Sequence, residues 1–258
     1  MLEGKNLRYV YKSGFFHKSV NVAVDDVSIR IEDGKSSSIV GESGSGKTTL
    51  LKMLTLQLMP KSGEIIYNGR VVNSEKNNSQ RKDFLRRVQL IPQNPYDAVD
   101  PRWTVAKSVA EPLKIHGFKD ADESVDMLFK EVGLSSELKD RYPHELSGGE
   151  LQRVVIARTL SLKPEVLVCD EITSMLDVSV QAYIMSILKS IQKNRGVSMF
   201  FVTHDLALAR ASSEYIYVMH KGRVVEEGRD VLINPTDDYT KRLVSAMRYE
   251  KEHKEFIS

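Results

Sequence analysis

The residues with the clearest chemistry lie between positions 41 and 48, Gly41-Glu42-Ser43-Gly44-Ser45-Gly46-Lys47-Thr48. The pattern is G-x-x-x-x-G-K-[ST], and it stands between an apolar run, Ser38–Val40, and a helix predicted over Thr49–Met59 and stopped by Pro60. That context gives the pattern its meaning. Glycines let successive backbone N–H groups curl around phosphates, and the helix N-terminus adds partial positive charge. Lys47 is placed to reach the β- and γ-phosphates, and the Thr48 hydroxyl to ligate Mg²⁺. Ser43, Gly44, Ser45, Gly46 and Thr49 complete the candidate contacts. A second element, Val166-Leu167-Val168-Cys169-Asp170-Glu171, ends an apolar run in two carboxylates. Asp170 suits a metal or its water shell, and Glu171 can polarise a water aimed at a phosphate. Alone this run is a weak signal. Downstream of a phosphate loop it points to nucleotide hydrolysis.

These residues need a scaffold that holds them at strand ends. Ser38–Val40, Val166–Val168 and Met199–Val202 read as short buried parallel strands, each running into a polar loop. Ligands of open α/β sheets sit at the carboxyl ends of such strands. Asn68-Gly69 and Lys221-Gly222 are two-residue hairpin signals between apolar stretches. From Val105 to Leu160 the apolar residues Val105, Val109, Leu113, Val125, Leu128, Phe129 and Val132 recur at helical spacing, with Pro112, Gly117 and Pro143 as punctuation. Residues 95–160 are therefore expected to form a mostly helical subdomain inserted into one domain of 1–258. Asn73–Arg81 reads as a solvated polar loop.

Composition bounds the alternatives. The chain has 258 residues, 41% hydrophobic and 28% charged, with a formal net charge of +2. That balance does not suggest nucleic acid as a partner. Cys169 is the only cysteine, so an internal disulfide and any two-cysteine metal site are excluded; it reads as a small core residue. Neither a secretory leader nor an apolar run near the ~20 residues of a spanning helix is visible. A cytoplasmic protein, attached to a membrane only through partners, is the expectation.

Leu146-Ser147-Gly148-Gly149-Glu150, followed by Leu151-Gln152-Arg153, separates the possible hydrolases. Ser147 is a good N-cap, and Gly148-Gly149 leaves bare N–H groups at the head of a helix, a second anion site. Here the sequence resembles the ABC ATPase family, whose signature is LSGGQ. The resemblance implies a P-loop NTPase α/β fold with a mostly parallel sheet, an N-terminal antiparallel β subdomain and the inserted helical lobe. It also implies ATP and Mg²⁺ as cofactors. Gln93 matches the glutamine loop that senses the metal, and His204 the switch histidine at the γ-phosphate. Ser174-Met175-Leu176-Asp177 resembles the segment that crosses the dimer interface. In that scheme Ser147, Gly148 and Gly149 cover the phosphate bound by the other subunit. Tyr11 is the candidate adenine-stacking aromatic, with Phe15 and Phe16 as competitors.

Three segments sharpen the resemblance toward importers of oligopeptides, dipeptides and nickel. They are Gln93-Asn94-Pro95-Tyr96 with Asp100-Pro101-Arg102 and Ala110-Glu111-Pro112-Leu113; Tyr142-Pro143-His144-Glu145; and Asn234-Pro235 with Tyr239-Thr240 and Leu243. The implied partners are a second, often non-identical ATPase subunit, two membrane permeases and, indirectly, an extracellular substrate-binding protein. The surface around Tyr96–Trp103 is the expected permease dock. Longer members carry a cysteine-rich extension for an iron–sulfur cluster; no cluster is expected here. The sequence departs from the family at Glu150 (usually Gln), Ile172 (commonly Pro) and Asp237-Asp238 (where His-Pro is usual). A soluble ABC ATPase or an exporter motor is the competing reading; a GTPase is disfavoured because no Asn-Lys-x-Asp follows the loop.

Overall fold

In the computed structural model, residues 1–13, 19–74, 78–118 and 121–254 are described. Along the chain come β1 (Leu2–Ser13), β2 (Ser19–Ile31), β3 (Ser36–Val40), α1 (Lys47–Leu54), β4 (Ser62–Tyr67), β5 (Arg70–Val71), α2 (Asn78–Arg87) and β6 (Val88–Ile91). Then follow α3 (Val105–Ile115), α4 (Ala121–Glu131), α5 (Gly148–Leu160), β7 (Val166–Asp170), α6 (Val178–Arg195), β8 (Ser198–Val202), α7 (Leu206–Ser212), β9 (Tyr215–His220), β10 (Arg223–Gly228) and α8 (Asp238–Lys254). Contacts divide these into two compact units, Met1–Arg81 with Phe200–Ser258, and Lys82–Met199.

In the first unit an antiparallel sheet runs in the order β2-β1-β4-β5. Its β4–β5 turn is the expected hairpin: Asn68 (φ 48°) and Gly69 (φ 78°) both take the left-handed region that a tight two-residue turn requires. The β9–β10 turn does the same at Lys221 and Gly222. β3 pairs parallel with β9, and all five of its residues are buried. Val40, Leu206, Ala209, Ile216, Val218, Val231, Tyr239 and Val244 form one apolar cluster that seats α7 and α8 against these strands.

In the second unit β6 pairs parallel with β7. Helices α3, α4 and α5 pack on one another, as the periodicity of Val105–Val132 requires. Pro112 sits inside α3 and has no N–H to give the Ser108 carbonyl one turn earlier. Arg158 of α5 donates to that carbonyl instead and pairs with Glu111 at 2.6 Å. One guanidinium thus repairs the helix and ties two helices together.

Two sequence expectations are corrected. The first helix stops at Leu54, not Met59. Leu56 turns left-handed (φ 53°), its N–H bonds the Met53 carbonyl, and the Thr55 hydroxyl bonds back to the Leu51 carbonyl. Burial of Leu56 offsets the strain of that backbone, so no glycine announces the stop. Asn73–Arg81 is not simply a solvated loop. Asn73 accepts from the Ile65 N–H (2.8 Å) and donates to the Gly63 carbonyl (3.1 Å), and α2 begins at Asn78. Phe84, almost fully buried, anchors that helix. Phe84→Ala is expected to cost about 3–5 kcal/mol, measured as a lower denaturation midpoint; a loss under about 1 kcal/mol would mean α2 is only loosely packed.

Candidate functional site

The glycine loop belongs to the first unit. β3 ends at Val40, the loop spans 41–46, and α1 opens at Lys47. Gly46 is the N-cap, with φ 110° and no side-chain capping bond, so the first turn offers its N–H groups outward. A β-carbon at Gly46 would stand 2.1 Å from the Ala23 carbonyl oxygen and 2.8 Å from the Met219 methyl. The close approach and the positive φ both demand glycine there. Lys47 is 6% exposed, and its ammonium donates to the Gly41 carbonyl (2.7 Å) and the Glu42 carbonyl (2.9 Å). A cation held near the interior favours an anion close by. Thr48 and Ser43 are exposed, Thr49 is buried, and the buried Ser45 hydroxyl has no hydrogen-bond partner.

Tyr11 reaches this loop from β1: its hydroxyl lies 3.4 Å from the Thr49 hydroxyl, and its ring meets Tyr9 edge-on at 4.9 Å. Its competitors Phe15 and Phe16 lie outside the described residues. His204 follows β8 and is exposed. Its neighbour Thr203 donates to the Ile39 carbonyl (3.2 Å), so His204 leaves the sheet at the edge where β3 delivers the loop. Asp205 then caps α7 through the N–H groups of Ala207 and Leu208.

The remaining candidates belong to the second unit. β7 is buried through Cys169 and reaches the half-buried Asp170. Burial, then the Asp170 charge, pushes the Cys169 thiol far up, which makes it an inert core group, as expected. Glu171 turns left-handed (φ 44°). Gln93, two residues beyond β6, donates to its carboxylate at 3.2 Å and to the Ser174 hydroxyl at 3.4 Å. The parallel β6–β7 pair thereby brings two residues 78 positions apart onto one hydrogen bond.

Ser147 is the N-cap of α5. The Glu150 N–H donates to the Ser147 hydroxyl (3.3 Å), and the Ser147 N–H donates to the Glu150 carboxylate (2.9 Å), a capping box built on the expected N-cap. The Ser147 hydroxyl also donates to that carboxylate (2.7 Å), which sequence spacing alone did not disclose. The Ser147 hydroxyl first, then the Ser147 N–H, hold the Glu150 carboxyl below its ordinary range. The cap's contribution is therefore complete above the unfolded carboxyl pKa and is lost as pH falls through the lower folded value. Gly149 is buried, and a β-carbon there would stand 2.5 Å from Val180. Asp177 caps α6, accepting from the Ser179 hydroxyl (2.6 Å) and the Val180 N–H (2.9 Å), which lower its pKa in that order.

The sequence profile of the ABC transporter family matches residues 24–174. The chain is 40% identical over 253 residues to the glutathione import ATP-binding protein GsiA of Salmonella paratyphi A, covering 95% of this chain and 40% of the relative. The chain thus spans well under half the length of that relative. It is 41% identical over 245 residues to the dipeptide transport ATP-binding protein DppF of Haemophilus influenzae, covering 92% of this chain and 74% of the relative. Among solved structures it is similar to the ATP-binding cassette MJ0796 in a dimeric post-hydrolysis state bound to ADP and Pi, with a TM-score of 0.79, 28% identity and coverage of 89% and 98%.

Two loop glycines separate backbone strain from steric clash. Gly44 also has positive φ (79°), but a β-carbon there meets nothing within 4 Å. Gly44→Ala should cost about 1–2 kcal/mol. Gly46→Ala adds the clash with Ala23 and should cost at least about 2 kcal/mol more, lowering Tm by a further ~4–8 °C. Equal melting temperatures for the two variants would mean that the loop shifts freely away from Ala23.

Proposed function

The chain belongs to the ABC transporter ATP-binding family, and on that premise we propose that it binds and hydrolyses Mg-ATP as one half of a two-nucleotide dimer that drives solute import. The observation that carries this reading is the Lys47 ammonium, held on loop carbonyls beside a helix start that no side chain caps. That arrangement offers a cation and open N–H groups to phosphate oxygens.

In this reading Gly41, Ser43, Gly44, Ser45, Gly46, Lys47, Thr48 and Thr49 cradle the phosphates, and Tyr11 stacks on the adenine. Mg²⁺, bound with the nucleotide, would supply positive charge to the phosphates; Thr48, Asp170 and Gln93 would offer a hydroxyl, a carboxylate and an amide, hard donors of the kind it takes. Glu171 takes the attacking water's proton, its carboxylate steadied by the Gln93 amide. His204 contacts the γ-phosphate. Ser147, Gly148 and Gly149 of one subunit close over the nucleotide of the other, and Asp177 lies in the segment crossing between them.

Segment 95–160 serves as the helical lobe that transmits closure to two membrane permeases, through the Tyr96–Trp103 surface. Tyr96 is half exposed there, and Asn94 caps the short 3₁₀ turn Pro95–Ala98 that presents it. The second ATPase subunit is non-identical, and an extracellular binding protein delivers the cargo to the permeases. Among the described residues no helix is long and apolar enough to cross a membrane. In this reading the chain works at the cytoplasmic face, bound through its permeases. The names of its relatives favour a small peptide as cargo, with nickel or a metal chelate as the other classes the sequence admits.

Glu171→Gln should lower steady-state ATPase by about 10²–10⁴-fold, the usual contribution of a positioned base, while ATP binding survives and the dimer persists on gel filtration with ATP. Near-normal turnover would remove Glu171 from this role. Glu150→Gln keeps both cap hydrogen bonds and removes only the charge that faces an incoming γ-phosphate. ATP-dependent dimerisation should increase, and the gain should shrink as the screening length falls from ~8 Å at physiological salt to ~3 Å at 1 M. Unchanged dimerisation at low salt would mean that Glu150 serves the helix cap alone.

A further inference from the structure

We propose that the hydroxyl of Tyr239 is a positioning group for the phosphate loop, so that the seating of helix α8 sets the affinity of the site for the nucleotide's phosphates. This rests on the nucleotide reading above.

The peptide that joins Gly41 to Glu42 is gripped at both ends. Its N–H, that of Glu42, donates to the Tyr239 hydroxyl at 3.1 Å, and its carbonyl, that of Gly41, accepts from the Lys47 ammonium at 2.7 Å. The lysine's resting position therefore depends on how that peptide is turned, and Tyr239 fixes the turn. Tyr239 is itself tightly held. It is 6% exposed, its ring stacks on His220 at 3.8 Å, and it belongs to the apolar cluster with Val40 and Val218. Burial raises the phenol's pKa, so the group stays a neutral hydroxyl.

The start of α8 is pinned just as firmly. The Asp237 carboxylate accepts from the N–H groups of Tyr239 (2.8 Å) and Thr240 (3.2 Å). The Glu226 carboxylate of β10 accepts from the Thr236 N–H and hydroxyl (2.7 Å each) and from the Asp237 N–H (3.2 Å). The other flank of the loop is held from the same part of the chain: the Gly222 N–H donates to the Ser45 carbonyl at 2.9 Å. A C-terminal segment thus braces the loop from both sides.

The hydroxyl can be separated from the fold. Tyr239→Phe keeps the ring, the stack and the helix and removes only the hydroxyl. Loss of one such bond should raise the Kd for a fluorescent MgATP analogue, and the KM for ATP, about three- to tenfold. Thermal unfolding should stay within ~2 °C of wild type and kcat within about twofold, because saturating nucleotide restores the loop. An unchanged Kd and KM in the folded variant overturns the proposal. So does a fall in kcat with KM unchanged, and so does a large fall in Tm accompanying the weaker binding, since the hydroxyl would then support the fold. Wild-type protein that binds no ATP analogue would instead defeat the nucleotide reading beneath it.

Discussion

The structure turns on a cation that carries its charge out of bulk water. The Lys47 ammonium needs acceptors, and it finds them in the Gly41 and Glu42 carbonyls. Those carbonyls converge only because the loop bends tightly between β3 and α1. The bend in turn requires left-handed backbone at Gly44 and Gly46 and room for Gly46 against Ala23. Much of the first unit maintains that bend. The β9–β10 turn supplies Gly222, α8 supplies Tyr239, and the apolar cluster around Val40 and Val218 keeps both elements against β3.

The second unit is organised by helix starts. α5 opens on Ser147 and α6 on Asp177, and each is capped by its own side chain. Capping satisfies the N–H groups that would otherwise be left without partners. At α5 Gly148 is exposed and Gly149 lies buried against Val180, while Glu150 draws the serine hydroxyl toward itself. Gln93, Glu171 and Ser174 share hydrogen bonds that hold the acid at the end of β7 in a defined orientation.

The departures from the family pattern have local physical accounts. Glu150 builds the same capping box that glutamine would, with a negative charge added. Asp237 stands where a cap for α8 is needed, and its carboxylate serves as one. Ile172 buries its side chain next to the left-handed Glu171, so apolar packing accommodates the residue where proline is common.

Local chemistry was legible in the sequence wherever it depends on a few adjacent residues. The phosphate-loop pattern, the two hairpin turns, the buried strands and the N-cap at Ser147 follow from backbone rules that act over two to eight positions. The end of α1 did not follow, because a leucine taking the left-handed region is offset only by burial among distant neighbours. Nor did the start of α2, whose polar first turn conceals the role of Phe84 as anchor. The bond from Gln93 to Glu171 depends on two strands finding each other across 78 residues, and that from Tyr239 to Glu42 on a helix returning across 197. Such contacts carry no local signature; they exist because packing of the apolar strands and helices leaves only one place for the polar groups at their ends.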